Sequence, residues 1–125
     1  MKVSVDQYCI NVTDLEKSVE FYEKTLGLTI THRIEEKDFR EVVLAGESGN
    51  RIQLAWQRNQ EGPIVHGNGF WKLYLQTDDC HGLYQRCIDA ERRAAGLSEP
   101  QLADWCAHLC QHDECNLPCK GMVVK

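Results

Sequence analysis

The chain has 125 residues, of which 26% are charged and 42% hydrophobic, an ordinary composition for one soluble globular domain. Its net charge of −5 disfavours nucleic acid as a partner, because that binding depends on Lys and Arg neutralising phosphates. No apolar run approaches the roughly 20 residues that span a bilayer, and the N-terminus lacks the pattern of a signal peptide. We therefore expect a cytoplasmic protein with reduced thiols and no membrane partner.

The first half of the chain predicts the element order β-α-β-β-β. Residues 3–12 are rich in β-branched and aromatic residues, which is typical of a strand. Thr13 and Glu16 fit a capping box that starts a helix, and Gly27 fits its left-handed C-terminal cap. Strands follow at 28–34, 40–46 and 50–56, the last two as a hairpin. The apolar stripe of the helix comprises Leu15, Val19, Tyr22 and Leu26.

The second half begins in the same style, after a polar linker at 59–69 that we call the connector. Residues 70–77 predict a strand, and Asp78 or Asp79 is expected to cap a helix that ends at Gly96. From Ser98 the pattern degrades, and only the final GMVVK is clearly apolar. We predict one domain over residues 1–125, with module 1 at 1–58 and an atypical module 2 at 70–125. The inward-facing residues of the second helix are predicted to be Leu83, Tyr84, Cys87 and Ile88.

The stretch DLEKSVEFYEKTLGL (14–28), with one strand before it and three after it, resembles the vicinal oxygen chelate superfamily. That superfamily contains glyoxalase I, bleomycin-resistance proteins and extradiol dioxygenases. The second strand-Asp-helix unit adds to the likeness, as does Trp105 followed by HDECN (112–116). The likeness covers residues 3–96 well and 97–125 poorly. It implies an α+β fold in which two βαβββ modules form a cup-shaped mixed sheet, and pairing as a homodimer.

In metal-using members of that superfamily, four side chains on the cup face hold one divalent ion. The Lys72 ammonium, at one of the four matching positions, has no acceptor and cannot ligate a metal. Gln53 keeps an oxygen without the charge of a carboxylate, and the Cys119 thiol is too soft to suit Mg or Mn. We therefore favour no metal and no other cofactor, with a divalent metal as the alternative. The matching positions are Gln7, Gln53, Lys72 and Cys119.

Alternation along the predicted strands places polar and aromatic side chains on the cup face. The opposite face of the first strand is apolar and is expected to pack on the helix through Tyr8, Ile10 and Val12. Aromatic residues of the cup would stack on a ligand, and polar residues would form hydrogen bonds with it. The predicted ligand-binding residues are Gln7, Asn11, Gln53, Phe70, Lys72, Tyr74, Gln76 and Trp105.

The favoured function is metal-independent binding of a small, partly aromatic drug or metabolite, as the likeness to sequestering bleomycin-resistance proteins implies. The negative net charge favours a cationic ligand. Lys72 and Arg51 on the cup face favour an anionic one, so the charge of the ligand stays open. One alternative is a metal-dependent glyoxalase-like lyase or isomerase. Another is a scaffold that only contacts partner proteins.

The last twenty residues are unusually rich in cysteine and histidine. Cys106, His108, Cys110 and His112 alternate, so in a strand they would share one face. Such neighbours lie roughly 6.5–7 Å apart, which is wide for ligands of one zinc ion, and no C-x-x-C pair is present. A diverged tail and a zinc site both stay open on this sequence.

Overall fold

The computed structural model describes residues 1–65 and 75–93, apart from the side chains of Cys80 and residues 91–93. The chain divides between Val65 and His66. None of the helices in these ranges is long and apolar enough to cross a membrane. The elements are β1 (Gln7–Asn11), α1 (Leu15–Glu20), a π-helical segment (Phe21–Thr25), β2 (Thr29–Glu35), β3 (Phe39–Ala45), β4 (Arg51–Gln57) and α2 (Cys80–Arg93).

The part before His66 contains a four-stranded mixed sheet with the strand order β1-β4-β3-β2. β1 is parallel to β4, and the other two pairs are antiparallel. Gly49, with φ of 84°, lies in the turn between β3 and β4 and supplies a backbone conformation that other residues rarely adopt. The predicted order β-α-β-β-β and the α+β class are confirmed. The second module's strands and the cup stay predictions, since residues 66–74 and 94–125 lie outside the described ranges.

One face of the sheet packs against α1, and together they form the core of this part of the chain. α1 contacts β3 and β4, and Arg40 Nη2 on β3 donates to Glu16 Oε1 on α1 at 3.0 Å. Alternation from Arg40 places Val42 and Leu44 on this same face. Each such buried aliphatic side chain contributes about 1.5–3 kcal/mol. The buried residues of this core include Ile10, Val12, Leu15, Val19, Tyr22, Val42, Leu44, Ile52 and Leu54.

The N-terminal cap of α1 is Asp14 and not Thr13, so the predicted capping box is wrong by one residue. Asp14 Oδ1 accepts a hydrogen bond from the Lys17 N–H at 3.1 Å. The Thr13 hydroxyl has another use, because it accepts a hydrogen bond from the Ile64 N–H at 2.9 Å. The Thr13 hydroxyl therefore binds the connector at Ile64, and the cap of the helix is the next residue, Asp14. Either residue type serves as a cap, so the sequence pattern alone favoured the wrong one.

The helix does not continue as a regular α-helix to Gly27, because it widens into a π-helical segment after Glu20. The Leu26 N–H donates to the Phe21 carbonyl at 3.1 Å, a bond across five residues. The extra residue shifts the faces of the residues that follow. Thr25 becomes buried and Leu26, predicted to lie in the stripe, is only half-buried. Gly27 ends the helix with φ of 76°, as predicted.

β1 is shorter than predicted, and one of its residues is more exposed than predicted. β4 begins at Arg51, opposite Gln7, so no described strand pairs with residues 3–6. Val3 and Val5 are accordingly exposed. Tyr8 was expected to pack on the helix, yet it is 54% exposed. Tyr8 lies near the start of β1, which is an outer strand of the described sheet.

The second described range contains α2 and the turn that leads into it. Asp79 is the cap, because its Oδ1 accepts from the Gly82 N–H at 2.8 Å. Leu83 and Cys87 are buried as predicted, and Tyr84 and Ile88 are half-buried. The strand predicted at 70–77 is wrong for 75–77, which lie outside any strand. There Thr77 Oγ1 accepts from the Asp79 N–H at 3.1 Å, which forms a turn before the helix.

Candidate functional site

The candidate site is the side of the sheet that faces away from α1, which we call the polar face. Cys9 on β1 is paired with Gln53 on β4, and Gln53 is paired with Val43 on β3. Paired residues of neighbouring strands project from the same side of a sheet. The structure therefore brings together three of the predicted ligand-binding residues, namely Gln7, Asn11 and Gln53. The polar side chains of this face include Gln7, Cys9, Asn11, His32, Glu41, Arg51, Gln53 and Gln57.

Three of these side chains form a hydrogen-bonded row across β1, β4 and β3, which we call the amide row. Gln7 Nε2 donates to Gln53 Oε1 at 2.8 Å. Gln53 Nε2 in turn donates to Glu41 Oε2. Gln53 lies in the middle because Gln7 and Glu41 are its diagonal neighbours on the two adjacent strands. The row is half-buried at Gln53 and Glu41 and exposed at Gln7.

The direction of the amide row follows from its chemistry. An ionised carboxylate can only accept, so Gln53 must turn its nitrogen towards Glu41 and its oxygen towards Gln7. Gln7 must then donate to that oxygen. Among the described residues, Gln7 Oε1 and Glu41 Oε1 accept no hydrogen bond and are left for a ligand.

Cys9 lies beside this row, and its thiol is a poor nucleophile. The side chain is exposed, but neighbouring atoms displace part of the water around its sulfur. This desolvation raises the pKa of the Cys9 thiol, and repulsion from the Glu41 carboxylate raises it further. The reactive form of cysteine is the thiolate, which both effects disfavour. Cys9 is therefore better suited to contact a ligand than to attack one.

Two further pairs complete the described part of the polar face. Arg51 forms an ion pair with Asp6, which immediately precedes β1. Gln57 Nε2 donates to Asn11 Oδ1 at 3.4 Å. Arg51 was expected to attract an anionic ligand, but the Asp6 carboxylate already balances its charge. Asn11 keeps its amide nitrogen for other partners.

The remaining predicted site residues all come after Val65 in the chain. Gln76 is exposed and precedes α2, in the part of the chain after Val65. The other predicted positions lie outside the described residues, and so does the Cys/His-rich tail. Those positions are Phe70, Lys72, Tyr74, Trp105 and Cys119.

Glu41 is the residue that sequence reasoning missed. It lies on β3 in the run FREVVLA, where four successive apolar residues (42–45) hide the alternation. Val42 and Leu44 face α1, whereas Glu41 and Val43 face the other way. The signal in the sequence was the charged residue Glu41, two positions before Val43 in a strand of a predicted hairpin. Such a residue shows which face of the sheet it lies on only when the pairing with the neighbouring strand is known.

The described donors of the polar face do not fit a divalent metal ion. The amide row supplies one carboxylate and two neutral amides, and the Gln53 oxygen already accepts from Gln7. Hard ions such as Mg²⁺ take about six oxygen ligands and favour carboxylates. In residues 1–65 and 75–93, no three His, Cys, Asp or Glu side chains lie close enough together to hold a metal.

The family of the chain follows from comparison with known proteins. The sequence model of the Glyoxalase/Bleomycin resistance protein/Dioxygenase superfamily matches residues 4–98. The chain belongs to this family, which is the vicinal oxygen chelate superfamily. The match ends close to residue 96, where the likeness noted in the sequence also ends. A search of curated proteins finds no match.

Proposed function

We propose that this protein binds a small, partly aromatic molecule on the polar face without using a metal ion, and so sequesters a drug or a metabolite. The ligand meets Gln7, Asn11, Gln53 and Glu41 on the described part of the face. Phe70, Tyr74 and Trp105 remain the aromatic residues that the sequence predicts to stack on the ligand. In this proposal the protein acts in the cytoplasm and forms a homodimer. Light scattering of the purified full chain measures its molar mass and so tests the homodimer.

The observation that carries this proposal is the amide row. Buried or half-buried polar groups normally satisfy each other or water, and a preformed row with exposed acceptor atoms suits a ligand that donates hydrogen bonds. The opposite face shows the contrast, since it is filled by aliphatic side chains against α1.

The donor set favours binding without a metal over metal-dependent chemistry. A glyoxalase-like lyase or isomerase would need several anionic or imidazole ligands around one ion. The amide row offers a single carboxylate, and its two glutamines hydrogen-bond to each other. A raised thiol pKa also makes Cys9 a poor ligand at neutral pH.

A thermal-shift screen tests the proposal on the untagged full chain. One arm adds Mg²⁺, Mn²⁺, Ni²⁺ or Zn²⁺, and the other adds a panel of small aromatic compounds. Gln7→Ala removes the first donor of the amide row. Gln60→Ala is the matched control, because Gln60 is an exposed glutamine in the connector.

The proposal expects stabilisation by at least one aromatic compound, which Gln7→Ala weakens and Gln60→Ala does not. Stabilisation by a metal that disappears in Gln7→Ala would replace the proposal with the lyase or isomerase alternative. If no compound and no metal raises the melting temperature, the protein is a scaffold for partner contacts and the proposal fails.

A further inference from the structure

We infer that Glu41 makes the polar face selective for a ligand that carries a positive charge, namely a protonated amine or an amidinium group. The inference rests on the proposed function, because it assigns a ligand class to the same face. It resolves the conflict between a negative net charge and basic residues on the predicted cup face. Its basis is the charge and hydrogen-bond pairing of each described side chain there.

The cation expected to draw an anionic ligand is already paired. Arg51 forms its ion pair with Asp6, so together they contribute no net charge to the face. Glu41 has no such partner among the side chains that the structure describes. No Lys, Arg or His nitrogen of these residues lies within 4.0 Å of its carboxylate oxygens.

The hydrogen bond to Glu41 comes from a neutral group. Gln53 Nε2 donates to one oxygen of the carboxylate but does not cancel its charge. His32 lies on the same face, paired with Val43, and its Nδ1 is 3.0 Å from the Thr31 hydroxyl oxygen. Among the Asp, Glu, Lys and Arg side chains of the described face, Glu41 therefore keeps a negative charge that a ligand can neutralise.

The direction of the amide row adds to this selectivity. The row leaves acceptor oxygens on Gln7 and Glu41, so it presents acceptors at both ends. A protonated amine has three N–H donors and no acceptor, and an amidinium has four N–H donors in one plane. An anionic ligand would bring acceptors against acceptors and a second negative charge against Glu41.

The position of Glu41 strengthens an attraction of this kind. Glu41 is half-buried and is paired with Ala55, which is fully buried, while Val43 of its own strand is also buried. Charges interact more strongly where protein atoms replace water. The raised pKa of the Cys9 thiol agrees with this, since repulsion from Glu41 is one of its causes.

Three compounds of one shape and different charge test the inference. Benzamidinium is cationic, benzamide is neutral and benzoate is anionic, and all three carry one phenyl ring. Each is titrated at pH 7 into the ¹⁵N-labelled full chain, and amide chemical shifts report the site and the dissociation constant. We expect benzamidinium to shift amides of β1, β3 and β4 and to bind roughly tenfold or more tightly than benzoate, as a hydrogen bond to a charged partner implies.

Two variants that change the net charge equally separate a local effect from a general one. Glu41→Gln should abolish the preference for benzamidinium. Glu47→Gln, in the exposed turn between β3 and β4, should keep it. Should Glu41→Gln fail to fold, the ranking of the three compounds on the unaltered chain still decides the matter.

The outcomes distinguish this inference from the proposed function. Equal binding of benzamide and benzamidinium on the polar face, or tighter binding of benzoate, overturns the inference and leaves small-molecule binding intact. A preference that survives in Glu41→Gln also overturns it. If none of the three compounds shifts amides of the polar face, the inference and the proposed function both fail.

Discussion

Tyr22 offers a quantitative test of the fold, because its hydroxyl is buried without a hydrogen-bond partner. The side chain is 1% exposed, and its oxygen has no partner among the described residues. An unsatisfied buried hydroxyl costs about 1–3 kcal/mol relative to water. Tyr22→Phe removes that cost and keeps the aromatic ring, which packs edge-on against Phe21 with 5.5 Å between the two ring centroids. We therefore expect the free energy of unfolding to rise by about 1 kcal/mol at pH 7.

The advantage of Tyr22→Phe should grow at high pH. Burial raises the pKa of the Tyr22 hydroxyl above its ordinary value of 10.0. Above pH 10.0 the unfolded chain loses this proton while the folded chain keeps it, so the folded state binds more protons and stability falls as the pH rises. The loss is about 1.4 kcal/mol per pH unit between the two pKa values. At pH 11 the variant should therefore be more stable than the unaltered chain by about 2 kcal/mol.

Urea unfolding followed by tryptophan fluorescence, in reducing buffer at pH 7 and pH 11, measures both differences. Tyr8→Phe is the control, because Tyr8 is 54% exposed. Its effect should stay within about 0.5 kcal/mol at pH 7. A loss of 1 kcal/mol or more in Tyr22→Phe would show that the hydroxyl has a partner and refute the reasoning. A difference that does not change with pH would contradict the raised pKa.

Three further changes test other features of the structure. Asp14→Ala should lower the free energy of unfolding by about 1 kcal/mol, because α1 loses its cap. Thr13→Val should cost less in the same urea assay, and the reverse order would contradict the assignment of the cap. Glu41→Gln should speed alkylation of Cys9 by iodoacetamide at pH 8 severalfold, because the pKa of the thiol falls. Peptide mass spectrometry measures the rate of alkylation. An unchanged rate would show that Glu41 lies too far from Cys9 to affect its thiol. Gln53→Glu should lower the melting temperature by setting a second carboxylate beside Glu41, and Mn²⁺ or Zn²⁺ should restore part of it. If neither metal raises the melting temperature of Gln53→Glu, the lack of a carboxylate at position 53 does not explain why the polar face binds no metal.

The sequence predicted the elements of the first part of the chain because their signals are local. Period-2 alternation in β1 and β4 placed Gln7 and Gln53 on one face, and the parallel pairing of these two strands brings them together. Gly27 ends the helix because few other residues tolerate its conformation. Such features depend on a few neighbouring residues, which is why a single sequence reveals them.

The features that the sequence did not predict depend on contacts between distant residues. Asp14 and Thr13 are equivalent as caps until the connector brings Ile64 to the Thr13 hydroxyl. Tyr8 carries the right pattern for packing, but it lies near the start of an outer strand of the described sheet and is exposed. Glu41 gains its importance only when the antiparallel register sets it diagonal to Gln53. In each case the deciding partner lies on another element of the fold.

Native mass spectrometry of the untagged full chain, purified without chelators, tests the central claim that the polar face binds a small molecule without a metal. The account predicts chains whose masses include no metal ion, and a benzamidinium adduct that Glu41→Gln weakens. One bound divalent ion per chain that is absent from Gln7→Ala would contradict the account, because it would show that the amide row holds a metal.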